Sequence, residues 1–255
     1  MTRSARRITL ASAYILHHMP YRDTSRILEV LTREHGRLSL FARGVRGPKA
    51  RLAAVLQPFQ PLLLSWSGRG EAAQLTAAEA AAHEPAVPPG CLMAAFYLNE
   101  LLLKLTTRHD PLPAIFDDYH AAVQGLRRGT AQEPVLRTFE KRLLDSLGYG
   151  PDLSGEAQTG KPIEAHAYYH FRPAQGLVSA PAGVSGALAG SSIMRLADEQ
   201  LSSAQELEDA RSVLQAALRH CLEGRELNTR SVARSIRGLR PDEGPQRTRP
   251  RISRE

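Results

Sequence analysis

Arg37-Leu38-Ser39-Leu40-Phe41-Ala42-Arg43 alternates apolar with polar or cationic side chains, the period of a half-buried β-strand. Successive strand side chains point to opposite faces, so Leu38, Leu40 and Ala42 should face a core while Arg37, Phe41 and Arg43 face outward. A solvated strand edge whose charges discourage aggregation would carry the same pattern. The continuation Gly44-Val45-Arg46-Gly47-Pro48-Lys49-Ala50-Arg51 shifts the balance, because it is a Gly/Pro loop with three more cations. From His35 to Gly70 there are six Lys or Arg and no Asp or Glu. Cations flanking an exposed aromatic ring suit a phosphate backbone with a base stacked between them. The candidate nucleic-acid-binding residues are therefore Arg37, Phe41, Arg43, Arg46, Lys49 and Arg51, joined by Arg69 of the turn Gly68-Arg69-Gly70.

Outward from this strand, similar short runs lie at about 8–18, 25–32, 61–67 and 71–77. They are separated by turn signals at Met19-Pro20-Tyr21-Arg22-Asp23, His35-Gly36, Gly44 to Lys49 and Gly68-Arg69-Gly70. Ala50 to Leu56 has the composition of one or two helical turns, stopped by Pro58. Five short strands with a small helix before the fourth, in about 80 residues, are the inventory of an OB-fold barrel, with an SH3-like barrel as the less fitting alternative.

Charge is segregated along the chain. Residues 1–80 hold 12 basic and 5 acidic side chains, whereas residues 81–255 hold 21 of each, so the net +7 belongs to the first third. Such a segment calls for an acidic partner, nucleic acid or an anionic membrane surface. Strand rather than amphipathic-helix periodicity speaks against the membrane. No apolar run approaches the roughly 18 residues that span a bilayer, and Met1 to Arg7 leads into a strand rather than a signal-peptide core. The expectation is a soluble, cytoplasmic protein. Cys91 and Cys221 form no disulfide framework and cannot supply a four-cysteine zinc site.

After Ala86-Val87-Pro88-Pro89-Gly90 the period changes to that of helices, at about 91–107, 114–127, 134–147, 192–200, 203–222 and 229–237. The first is apolar on so many sides that it should be a central core helix. Residues 152–185 are rich in Gly, Pro and Ser, with one strand-like piece at Ala167 to Phe171. The expected architecture is α+β and multidomain: an OB-fold barrel over 1–80, a linker over 81–90, and a mostly α-helical domain over 91–238 with an irregular insertion at 152–185. A basic tail over 239–255 lacks apolar periodicity and should be disordered.

Several motifs resemble sites without completing them. Gly155-Glu156-Ala157-Gln158-Thr159-Gly160-Lys161 matches a P-loop for seven positions, but Pro162 stands where Ser or Thr should ligate magnesium. His166 and His170 lie on a strand-like segment, about 13 Å apart and too far to share a metal. Asp117-Asp118 fits a solvated helix face. Trp66, aligned with Leu62 and Leu64, fits a core position better than a base platform. No active site, metal site or cofactor is expected.

The chain nevertheless resembles the RecO family of bacterial recombination mediators. The matching segments, in order, include Arg22-Asp23-Thr24-Ser25, Glu34-His35-Gly36-Arg37, Ala42-Arg43-Gly44-Val45-Arg46, Leu56-Gln57-Pro58-Phe59-Gln60-Pro61-Leu62 and Gly68-Arg69-Gly70-Glu71. Tyr97 to Leu102, Leu136-Arg137-Thr138-Phe139-Glu140, Leu147-Gly148-Tyr149-Gly150 and Leu227-Asn228-Thr229-Arg230 complete the set. The resemblance implies a non-enzymatic protein that binds single- and double-stranded DNA and anneals complementary strands. It further implies partnership with RecR and with the acidic C-terminal tail of single-strand-binding protein, so that RecA is loaded, and hence a nucleoid-associated location. Many members carry a four-cysteine zinc site after the Leu-Gly-Tyr motif; Ser154 to Gly160 contains no cysteine, so a zinc-less member is implied. An acidic tail ending in an apolar residue needs an apolar pocket rimmed by cations. Arg137, Lys141 and Arg142, beside Leu136, Phe139, Leu143 and Leu144, are the candidates, although an amphipathic helix with a solvated basic side reads the same way. An RNA-binding or ribosome-associated OB-fold protein remains the alternative, since stacking and phosphate contacts tolerate either polymer.

Overall fold

The computed structural model describes residues 7–46, 51–68, 73–129, 131–223, 225 and 227–229, Arg51 by its backbone only. The N-terminal elements are β1 (Arg7–Tyr21), β2 (Ser25–Thr32), β3 (Gly36–Ala42), α1 (Arg51–Val55), β4 (Leu62–Ser67) and β5 (Gln74–Ala80). A 3-10 turn at Pro89–Cys91 leads to α2 (Leu92–Leu105), α3 (Pro113–Arg127) and α4 (Gln132–Ser146). The chain ends with β6 (Tyr168–Arg172), β7 (Gly176–Ala180), β8 (Leu188–Ala189), α5 (Gly190–Ala197) and α6 (Ala204–Cys221).

The first five strands pair in the order β1-β2-β3-β5-β4, with β4 returning to β1. The β3–β5 step is parallel and rests on Phe41 opposite Gln74. This order, with α1 before β4, is OB-like. Strand β1 serves two neighbours because it bends: Arg7 to Ala13 pairs with β4 and Ala13 to Tyr21 with β2. The bend is a bulge between Ile8 and Ala11, where Leu10 takes φ 51° and its amide donates to Ser65 Oγ at 3.0 Å. Ile15, Leu28, Val30, Leu38, Leu40, Leu62, Leu64 and Trp66 fill the interior. Trp66 is thus a core residue.

The outer wall of β1 is buried as well. Tyr14, Leu16, Leu31 and Phe59 belong to the core of the helical region, so Tyr14, Ile15 and Leu16 are consecutive buried residues facing two different cores. Polar groups at this junction are paired. Tyr14 Oη lies 2.6 Å from His120 Nδ1, Asn99 Nδ2 donates to Leu16 O at 2.8 Å, and Tyr119 Oη donates to Asn99 Oδ1 at 2.6 Å. Burial pushes the Tyr14 phenol up to about 12. At the edge, Arg33 makes two 2.9 Å hydrogen bonds to Asp117.

Two sequence expectations change. The turn expected from Met19 to Asp23 begins only at Arg22, because Met19, Pro20 and Tyr21 continue β1 and pair with Ile27, Arg26 and Ser25. The C-terminal part is not wholly helical: a three-stranded sheet, β7-β6-β8, occupies much of the region read as irregular. Strand β7 is short and opens on Gly176, and β6 pairs along its whole length with it; Tyr169 and Leu177 thereby enter the helical core. The helix expected over 229–237 is described only to Thr229, and the tail expected to be disordered over 239–255 lies outside the described residues. No helix among the described residues is long and apolar enough to cross a membrane.

Candidate nucleic-acid interface

The β1–β2–β3 meander brings the C-terminal ends of β1 and β3 to one edge of the barrel, since antiparallel neighbours alternate direction. Met19 of β1, Ile27 of β2 and Phe41 of β3 lie opposite one another and share the outer face, with Tyr21 two residues along from Met19. Met19 is 45% exposed and Tyr21 38%. The Tyr21 and Phe41 rings meet edge to face at 5.1 Å and 85°. Each carries a guanidinium: Arg22 Cζ stands 5.3 Å from the Tyr21 centroid and Arg43 Cζ 5.5 Å from the Phe41 centroid.

The flanking loop is tied to the hairpin. Arg46 N donates to Thr24 O at 3.0 Å, and Arg46 Nη1 donates to Arg22 O at 3.2 Å. Gly44 supplies the φ of +64° that turns the chain after Arg43, while fully buried Val45 plugs the loop into the barrel. The result is an aromatic pair bracketed by Arg22, Arg43 and Arg46 on a rigid edge. His18, one face over, is held below the ordinary imidazole value by burial and by the charges of Arg26 and His17.

Of the residues expected to bind nucleic acid, the structure brings Phe41, Arg43 and Arg46 together. Arg37 is placed elsewhere. Its outward face is covered by the segment after α2: Arg37 Nη1 donates to Glu29 Oε2 at 3.0 Å, Nη2 to Thr106 O at 2.8 Å, and Nε to Thr106 Oγ1 at 3.2 Å. Ser39 and Arg108 bond the same Glu29 carboxylate, and the Arg37 side chain is only 12% exposed. Strand alternation correctly turns it away from the barrel core, but not into solvent. Lys49 and Arg69 lie outside the described residues, and Arg51 opens α1. Tyr21 and Arg22 are not among the sequence candidates because the composition around them is that of a turn. The available signal is an aromatic-cation pair that a three-strand meander must return to the side of Phe41 and Arg43.

The second candidate site lies on α4. Arg137 borders a cavity of about 200 Å³ walled by Met93, Ala94, Tyr97 and Leu136, with Arg211 and Gln215 at its edge. Its Nη2 donates to Glu140 Oε1 at 3.0 Å, and Tyr97 Oη donates to the same oxygen at 2.6 Å. Nε and Nη1 of this buried guanidinium have no acceptor among the described residues. Lys141 and Arg142 do not join it. Lys141 binds Asp145 at 3.1 Å and Glu199 at 3.4 Å. Arg142 is forked onto Glu199 and bonded to Asp118, which holds the Glu199 carboxyl below its usual range. Their i,i+4 spacing places Arg137 and Lys141 on one helix face, but Lys141 turns to Asp145 and Glu199. Arg211, which no local pattern singles out, supplies the second cation.

The remaining motifs are structural. Gly155 to Lys161 is a tight loop in which Glu156 N donates to Lys161 O at 2.8 Å, and Glu156 accepts from Thr159 Oγ1 and Ser179 N. Asp117 and Asp118 are the partners of Arg33 and Arg142. No group of three metal-ligating side chains occurs among the described residues.

An OB-like barrel with a cationic, aromatic edge, backed by a helical region, defines a class of nucleic-acid-binding protein. Residues 7–83 match the family model for the N-terminal part of recombination protein O, and residues 91–231 match the model for its C-terminal part. The DNA repair protein RecO of Methylococcus capsulatus is 41% identical over 230 residues, 90% of this chain and 94% of that protein. Those of Nitrosococcus oceani and Azoarcus sp. are 40% and 39% identical over 235 residues, covering 91% and 90% of this chain and 96% and 97% of theirs. The chain belongs to the RecO family of DNA repair proteins.

Proposed function

We propose that this chain is a non-enzymatic recombination mediator. It binds single- and double-stranded DNA along the barrel edge, anneals complementary strands, and with RecR helps load RecA onto DNA coated by single-strand-binding protein. The observation that carries this reading is the Tyr21–Phe41 pair with Arg22 and Arg43 over its rings. A base stacks on the exposed aromatic surface while phosphates meet the guanidinium groups, and no base edge need be read. Bringing two strands onto one cationic molecule relieves their mutual repulsion, which favours pairing. Lys49, Arg51 and Arg69 are proposed as further phosphate contacts; Arg37 is left out because its charge is already matched by Glu29.

The acidic tail of single-strand-binding protein is assigned to the Arg137 cavity. A terminal carboxylate would pair with the cationic side of the cavity formed by Arg137 and Arg211, and an apolar side chain would fill the space beside Leu136 and Tyr97. Arg137→Ala should abolish binding of a tail peptide while leaving DNA binding intact.

Salt dependence tests the DNA assignment. If Arg22, Arg43 and Arg46 neutralise three phosphates, single-strand affinity falls about twentyfold between 50 and 200 mM salt; with five phosphates it falls about a hundredfold. Arg43→Glu with Arg46→Glu should flatten that response and weaken binding at every salt concentration. A flat response in the unmodified protein, or unchanged binding in the double variant, removes the assignment. A matched RNA strand that competes better than DNA would transfer the edge to an RNA function.

A further inference from the structure

The small C-terminal sheet packs on the helices by one face only. Along β6 and its lead-in, Ala167, Tyr169 and Phe171 belong to the helical core, where Leu177 of β7 and Leu188 of β8 join them. Strand alternation therefore turns Tyr168, His170 and Arg172 to the opposite face. The register sets Tyr168 between Ala180 and Ala189, and sets His170 opposite Val178 and Arg172 opposite Gly176. Tyr168 is 38% exposed, Arg172 is exposed and His170 is half-buried. The directly opposed alanines on both sides are too short to cover the Tyr168 ring.

The charge around this face is one-sided. Between Glu164 and Asp198 the chain holds two Arg and two His and no Asp or Glu, an acid-free stretch like that from His35 to Gly70, which the balanced count over residues 81–255 conceals. Arg172 has a neutral partner, its Nη1 donating to Gln175 Oε1 at 3.2 Å, and makes no ion pair among the described residues. His170 Nδ1 lies 3.1 Å from Gly186 O, which fixes the imidazole between Tyr168 and Arg172. The carboxylate at the β7 edge, that of Glu156, is turned to Ser179 N at 3.0 Å and Thr159 Oγ1 at 2.6 Å. A ring, an imidazole and an unmatched guanidinium thus follow one another at two-residue steps, about 13 Å from first to last. A polyanion complements the guanidinium, and exposed base faces complement the ring. Duplex DNA hides its base faces and an acidic peptide brings none, so the polymer that uses both features is a single strand.

We propose that the outer face of β6 is a second binding surface for single-stranded DNA, on which a base stacks on Tyr168 and the phosphate backbone runs along the strand to Arg172. This surface belongs to a different sheet from the barrel edge, and no residue is common to the two. Its use rests on the reading of the chain as an annealing protein: the barrel edge holds one strand and this sheet presents the other.

The test uses the full chain and a dT30 strand carrying iodouracil, which on irradiation couples to an aromatic ring stacked on it. Mass spectrometry of the digested protein should find an adduct on Tyr168 as well as one at the barrel edge. In Arg43→Glu with Arg46→Glu the barrel adduct should fall and the Tyr168 adduct persist, so failure of the barrel assignment and failure of this one are read separately. Two-strand capture is measured with protein loaded onto a surface-bound dT30 strand and a second, labelled dT30 in solution. Tyr168→Ala with Arg172→Glu should lower retention of the second strand about tenfold, whereas Tyr168→Phe, which keeps the ring, should retain it. Absence of the Tyr168 adduct overturns the proposal, as does undiminished retention in the double variant. A loss in Tyr168→Phe as large as in the double variant overturns the stacking role.

Discussion

Replacing Arg37 by alanine would leave the Glu29 carboxylate buried with one fewer charge partner. Arg108 and Ser39 stay on Glu29, so the loss should be that of buried polar groups deprived of one partner, roughly 1–3 kcal/mol. Urea unfolding of Arg37→Ala should show that loss, while its DNA affinity at 100 mM salt should match the unmodified protein. Phe41→Ala should do the reverse: stability nearly unchanged, and single-strand binding weakened about fivefold to a hundredfold, from roughly 1–3 kcal/mol of base stacking. Tyr21→Ala should act similarly and less than additively with Phe41→Ala, because the rings touch. The two arginine-bearing ends of β3 look alike in the sequence. Alternation gives the face a side chain leaves from, and says nothing about which later segment covers that face. Phe41, Arg43 and Arg46 are legible because local chain direction decides them; Arg37 is not, because Thr106 and Arg108 are some seventy positions away.

At the scale of elements, the hydrogen bonds of Glu100 hold Asn228 and Thr229 against α2. Burial alone would raise the Glu100 carboxyl, but the Thr229 and Asn228 amides and the Thr229 hydroxyl outweigh it and bring the group below its ordinary 4.5. A depressed carboxyl contributes stability that is present above the ordinary value and is lost as pH falls through the depressed one. Amide exchange at Thr229, corrected for the intrinsic rate, should therefore rise as pH drops below about 4.5, and Glu100→Gln should produce the same rise at neutral pH. Helix boundaries in this half are well marked in the sequence. Ser203 caps α6 through Glu206 in a capping box, and Pro134 sits in the first turn of α4. The β6–β7 hairpin is only half visible there, since β7 is five residues long and holds its place by burying Leu177 rather than by local preference.

For the whole molecule, the junction between barrel and helices is a shared core rather than a tether. Tyr14, Leu16 and Leu31 pack with the helices, and Asn99 bonds both the β1 backbone and Tyr119. The two halves should unfold together. Trp66, the single tryptophan, reports on the barrel and far-ultraviolet circular dichroism on the helices, so their urea transitions should coincide. Tyr119→Phe leaves Asn99 Oδ1 without its buried donor and should cost roughly 1–3 kcal/mol while keeping the transitions together. Two separate transitions in the unmodified protein would contradict the shared core.

By itself the sequence determined the strand and helix periods, the barrel's inward-facing residues, the concentration of positive charge in the first third and the motifs of the family, because each depends on residues near one another along the chain. Only the tertiary structure decided which cations remain available, sending Arg37 to Glu29 and Lys141 and Arg142 to Glu199 while leaving Arg43 beside Phe41. A cation's availability depends on the acids and ring faces that long-range packing places around it, and no local pattern encodes those neighbours.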